Sequence, residues 1–212
     1  MSGPTLVIEL AAPLSSAVLR EFRALIVGLS SHFDEKRPGF FDVNVHAERL
    51  GVEDGQEEER RKPFPVPLPL LGNATADEEL MALVGFDPER EDWRRPFLVY
   101  LMGPGVGDEN VFEAEHADGP DVEVVLGFRP THAVNVSACC NREIDHVTTA
   151  LLTAAVMDVI GGVANVELSD GQASVVAGLP GLVGITDDDL AALGTAEFLR
   201  SWAAHPAFRL VK

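Results

Sequence analysis

The stretch from Glu143 to about Ile160 constrains this chain most. It is apolar on most of its faces, so as a helix it has no broad side to turn toward water and must be buried. Extended runs flank it, His132 to Cys139 (HAVNVSAC) and Val163 to Leu168, so residues 132–168 read as β-α-β. Asn141 is expected to cap the helix, Glu143 and Asp145 suit the dipole of its first turn, and Gly161-Gly162 is expected to end it.

The start of the chain repeats that architecture without clear residue identity. Thr5 to Leu10 reads as a strand, Pro13 breaks it, and Ser15 or Ser16 can cap a helix. Val18, Leu19, Phe22, Leu25, Ile26 and Leu29 then form one apolar helical stripe. After a charged turn with Pro38-Gly39, Phe40 to His46 alternates as a half-buried strand. Further along, Asp77 to Phe86 and Asp118 to Phe128 read as helices and Phe97 to Met102 as a strand, after a charged turn from Asp87 to Pro96. Gly181 to Thr186 reads as a short strand and Asp187 to Asp189 as the start of a short acidic helix. Thr195 is placed to cap a helix carrying Phe198, Leu199 and Trp202, His205-Pro206 to stop it, and Phe208 to Val211 to close the chain as a strand. Interspersed strands and helices imply an α+β class: a mixed β-sheet with helices packed on it, built from β-α-β units. The 212 residues are expected to form a single domain with a surface excursion at 47–75. In that excursion an acidic run (Glu53, Asp54, Glu57, Glu58, Glu59) precedes alternating prolines (Pro63, Pro65, Pro67, Pro69), which oppose both helix and central strand.

Hydrophobic residues make up 46% of the chain, enough for a core without disulfides or metals. The formal charge is −18, and it is uneven: residues 1–41 are neutral, whereas residues 42–119 hold nineteen acids against seven bases. Such a field repels nucleic-acid phosphates and anionic membrane surfaces and attracts a basic partner, while also keeping the protein soluble. Residues 1–18 lack the basic start of a signal peptide, and the longest apolar stretch, Val147 to Val163, is short and polar for a membrane span. A cytoplasmic location is the expectation.

Few residues suggest chemistry. In Cys139-Cys140-Asn141-Arg142-Glu143-Ile144-Asp145-His146, a cysteine at a strand end and helix start meets N–H dipoles that lower a thiol pKa, and a histidine about a turn and a half along could serve as base. Cys140 and His146 are therefore the candidate pair, against the competing reading that a free cysteine and a core histidine are structural. Gly103, Gly105 and Gly107 follow a strand, but Asp108, Glu109, Glu113 and Glu115 would repel a phosphate there. Glu113 and Glu115 are a conceivable carboxylate pair, equally explained by alternation on a strand. The six histidines show no metal-ligand spacing, and Asp187, Asp188 and Asp189 lack the pattern of a calcium loop. No metal and no cofactor is expected.

The ending Ala196-Glu197-Phe198-Leu199-Arg200-Ser201-Trp202-Ala203-Ala204-His205-Pro206-Ala207-Phe208-Arg209-Leu210-Val211-Lys212 resembles the C-terminus of a bacterial family, domain of unknown function six-three-six-eight. Phe128-Arg129-Pro130, Val134-Asn135-Val136, Cys140-Asn141 and Asp145-His146 resemble its central stretch, and Gly3-Pro4-Thr5 its opening. Residues 47–75 and 169–190 depart from the pattern. The resemblance carries no activity, so it transfers no catalytic residue. Two functions stay open. The first is a non-enzymatic, immunity-type protein that neutralises a basic toxin through Glu53, Asp54, Glu57, Glu58, Glu59, Asp187, Asp188 and Asp189, with self-association compatible with the apolar Pro-rich run. The second is a small-ligand binder or enzyme using Cys140 and His146.

Overall fold

In the computed structural model, which describes residues 3–52, 94–106, 109–116 and 120–211, the chain builds one eight-stranded sheet with six α-helices. The strands are β1 (Thr5–Leu10), β2 (Ser30–Arg37), β3 (Phe40–His46), β4 (Arg94–Met102), β5 (His132–Ala138), β6 (Val163–Glu167), β7 (Leu182–Ile185) and β8 (Ala191–Gly194). The helices are α1 (Ser16–Leu29), α2 (Glu109–His116), α3 (Pro120–Leu126), α4 (Glu143–Ile160), α5 (Gln172–Val176) and α6 (Ala196–Ala203). The fold is α+β, as the patterning implies.

Spatial order in the sheet is β2-β3-β4-β5-β1-β6-β8-β7. Every pairing is antiparallel, which corrects the expectation of a mixed sheet. The physical reason is an insertion. β1 lies between β5 and β6 and runs antiparallel to both, so the two strands joined by α4 are parallel to each other but never adjacent. The β-α-β crossover exists in sequence, yet it closes no adjacent parallel pair. β1 and the strands after α1 are likewise separated, by β5 and β4.

Period-two alternation decides which sheet face is the core. Leu6, Ile8, Phe41, Val43, Val45, Phe97, Val99, Val134, Val136, Ala164 and Val166 all point to one side and are buried. α1 packs Phe22 and Ile26 into this face, capped by Ser15 Oγ, which accepts from Val18 N. α4 buries Ala150, Leu152, Ala154, Val156 and Met157, as a helix apolar on most faces must. α6 adds Phe198, Leu199 and Trp202.

Several local expectations are corrected. Residues 30–37, read as part of a charged turn, form edge strand β2, whose charges suit an unpaired sheet edge. Asp187–Asp189 begin no helix: they form the turn of the β7–β8 hairpin, where Thr186 Oγ1 donates to Asp188 Oδ1 and Asp189 takes a φ of 60°. Glu109–His116 is helical and not a strand, which overturns the strand alternation offered for Glu113 and Glu115. The helix cap at Asn141 falls one residue later, on Arg142. Phe208–Val211 packs without joining the sheet. The helix read at 77–86, the prolines at 63–69, and Gly107 and Asp108 lie outside the described residues; of the excursion at 47–75, residues 47–50 form a 3-10 turn with Ala47 buried.

Close approach makes a glycine necessary at residue 194. A Cβ on Gly194 would stand 2.2–2.6 Å from the Phe198 side chain. Gly194→Ala is therefore expected to cost about 1–3 kcal/mol through overpacking, read as a lower urea midpoint at unchanged m-value; an unchanged midpoint would show that α6 can slide away freely.

Candidate functional site

The sequence expectation centres on the start of α4, and there the structure reveals a network. Asp145, fully buried, receives two hydrogen bonds from Arg95, Nε to Oδ1 at 2.6 Å and Nη2 to Oδ2 at 2.9 Å. The same carboxylate accepts from Arg142 N at 2.6 Å, which closes the capping of the helix. Asp145 is thus both helix cap and counter-ion, holding α4 to β4. Arg95 was missed as part of a turn, although the parity of Phe97, Val99 and Leu101 places residue 95 on the inward face.

His146 is buried beside this pair, and its Nδ1 accepts from Leu210 N at 3.3 Å. A nitrogen that accepts is unprotonated, so the neutral ring carries its proton on Nε2, which has no partner among the described residues. Burial and the positive charge of Arg209 pull the histidine below its ordinary pKa, against the carboxylates of Asp145 and Glu143. Cys140 is half-buried and Cys139 exposed. Partial desolvation beside the sheet, then Asp42, Cys140 and Asp145, push the Cys139 thiol up, the direction that depletes thiolate. The structure brings the pair's two residues to the same strand–helix junction, where the ring nitrogen facing the chain already holds a backbone amide.

The opposite end of α4 frames a cleft of about 540 Å³. Its walls are largely apolar, from Leu10, Leu14, Val18, Phe128, Ile160 and Val163. With 18 residues in α4, the two ends lie roughly 27 Å apart at the helical rise. No sequence signal marked this cleft, because its residues come from the β1–α1 connection, α4 and the segment before β5.

Of the acidic residues, Asp187, Asp188 and Asp189 are exposed on the hairpin turn. Asp188 accepts from Thr186 Oγ1 and Leu190 N, and these bonds hold its carboxyl below the ordinary value. Glu53, Asp54, Glu57, Glu58 and Glu59 lie outside the described residues. Among the described residues, no group of three His, Cys, Asp or Glu is gathered to hold a metal, and no helix is long and apolar enough to cross a membrane.

The molecule is thus an α+β protein with a buried arginine–carboxylate–histidine cluster at one end of its central helix and an apolar cleft at the other. The model of the family of unknown function DUF6368 matches residues 2–92 and 88–212, so the chain belongs to that family. The match runs through residues 47–75 and 169–190, which the sequence reading set apart. Neither a curated protein nor a solved structure matches the chain.

Proposed function

We propose that this protein is a non-enzymatic, acidic binding protein of the cytoplasm, of immunity type, whose partner is a basic protein such as a toxin. The observation that carries this reading is the charge of −18 with its excess in residues 42–119. Such a surface accelerates encounter with a cationic partner and weakens as salt screens it. The groups that a Cys/His mechanism would need support the same reading from the other side. Asp145 is engaged by Arg95 and by the helix cap, and His146 by Leu210 N. On the exposed hairpin, Asp187 and Asp189 are the better partner contacts, since Asp188 is committed to its turn.

The test is capture of partners from host lysate with the full chain at low and high salt, followed by direct binding of the recovered protein to two charge-reversed variants. Those are Asp187→Lys/Asp189→Lys, and reversal of Glu53, Asp54, Glu57, Glu58 and Glu59. The expected result is one basic protein, bound at least about 10-fold more weakly at high salt and by at least one variant. Binding indifferent to salt and to both reversals would overturn the electrostatic reading.

The cleft favours a second reading, a small apolar ligand held between Leu14, Phe128 and Ile160. It would be seen as ligand-dependent stabilisation of the purified protein.

A further inference from the structure

After α6, residues 205–211 carry no regular secondary structure. Phe208 meets the Trp202 ring edge-to-face at 5.5 Å, Leu210 is buried, and Gln172 Nε2 donates to Arg209 O at 3.0 Å. Leu210 and Phe208 also pack on the main core, and a further tie is the hydrogen bond from Leu210 N to Nδ1 of His146, a side chain buried in the first turn of α4.

We propose that this bond is an acid-sensitive latch: protonation of His146 removes the acceptor and frees the C-terminal strap, residues 205–211, from the start of α4.

The chemistry follows from the acceptor. A protonated imidazole has two N–H donors and no lone pair, so Leu210 N–H would face another donor in a buried place and lose its partner. The surroundings bear on the same proton. From α4 itself the carboxylates of Asp145 and Glu143 face the ring and favour its charge. From β4 comes Arg95, whose charge is matched by Asp145. From the strap comes Arg209, exposed and repulsive to an imidazolium. His205, its ring 5.5 Å from that of Trp202, bonds within its own turn, its Nδ1 accepting from Ala207 N. Because the folded pKa of His146 lies below the unfolded value, its contribution is fully present above that unfolded value. It is lost as pH falls through about 6.5 toward the lower folded value. The buried imidazolium is relieved most simply by moving the strap, since β4, β5 and α4 are locked by the sheet and by Asp145. An opened strap would uncover Trp202 and present Phe208 and Leu210 to solvent, an apolar surface absent at neutral pH.

Amide hydrogen exchange on the full chain tests the latch, with protection factors corrected for intrinsic rates at about pH 7.5 and about pH 5.5. Leu210 is expected to lose several-fold in protection over that range, with about 10-fold as the ceiling for one histidine of open-state pKa about 6.5, while Val136, in the centre of the sheet, keeps its own. Arg209→Glu exchanges the repulsive charge for an attractive one at an exposed position of the strap, so it should fold normally and lose less of its Leu210 protection in acid, because the strap then attracts the imidazolium. His146→Gln should flatten the pH dependence of Leu210. Protection of Leu210 that is constant with pH would overturn the latch, as would loss at Leu210 and Val136 together or an Arg209→Glu variant that loses more protection in acid than the wild type.

Discussion

Asp145→Ala should lower the unfolding free energy by about 3–5 kcal/mol, because it strands a buried guanidinium. The Arg95 side chain is only 10% exposed and Asp145 is fully buried, so neither charge has water to fall back on. The substitution also removes the acceptor for Arg142 N and with it the cap of an 18-residue helix. The double variant Arg95→Met/Asp145→Ala removes the stranded charge and is expected to recover part of the loss, so that the two single effects do not add. Urea unfolding of the wild type, both single variants and the double variant measures this coupling. Single costs under about 1 kcal/mol that simply add would mean the pair behaves like a surface ion pair.

Trp202→Ala should cost a comparable amount, about 3–5 kcal/mol. Trp202 is among the largest fully buried side chains of the protein, sits on α6 against α4, and supports Phe208 from beneath. The indole Nε1 has no hydrogen-bond partner among the described residues. The loss is therefore one of packed volume, and Trp202→Phe should cost distinctly less, by keeping the ring and surrendering no hydrogen bond. Thermal unfolding of the two variants distinguishes them. Equal losses in both would show that the indole nitrogen contributes after all, and a small loss in Trp202→Ala would show that α6 and the strap collapse readily onto α4.

Part of the candidate site was legible before any fold was known. The junction from Cys139 to His146 could be picked out because cysteines, an acid and a histidine are close in sequence. Their roles could not, since each is set by a residue far along the chain: Arg95 for Asp145, and Leu210 for His146. Parity with Phe97 was the one available clue that Arg95 points inward. The cleft left no trace, because Leu14, Phe128 and Ile160 are unremarkable residues until three separate segments converge.

Apolar runs and periodicity determined β1, α1, β3, α4, β6 and α6, because a stripe of period two or 3.6 has one local conformation that buries it and an all-round apolar run such as α4 must be buried whole. Composition set the acidic character, and the interspersed strand and helix patterns set the α+β class. Elements lacking that signal were decided by pairing. β2 is a charged strand made extended by β3, and β8 is a four-residue run, Ala-Ala-Leu-Gly, held between β6 and β7. Tertiary structure also chose the sheet order, since placing β1 between β5 and β6 buries it on both edges and converts the expected parallel neighbours into an antiparallel sheet. Hydrogen bonds between strands carry no sequence address, whereas the hydrophobic faces they align do, and for that reason the elements were readable and their neighbours were not.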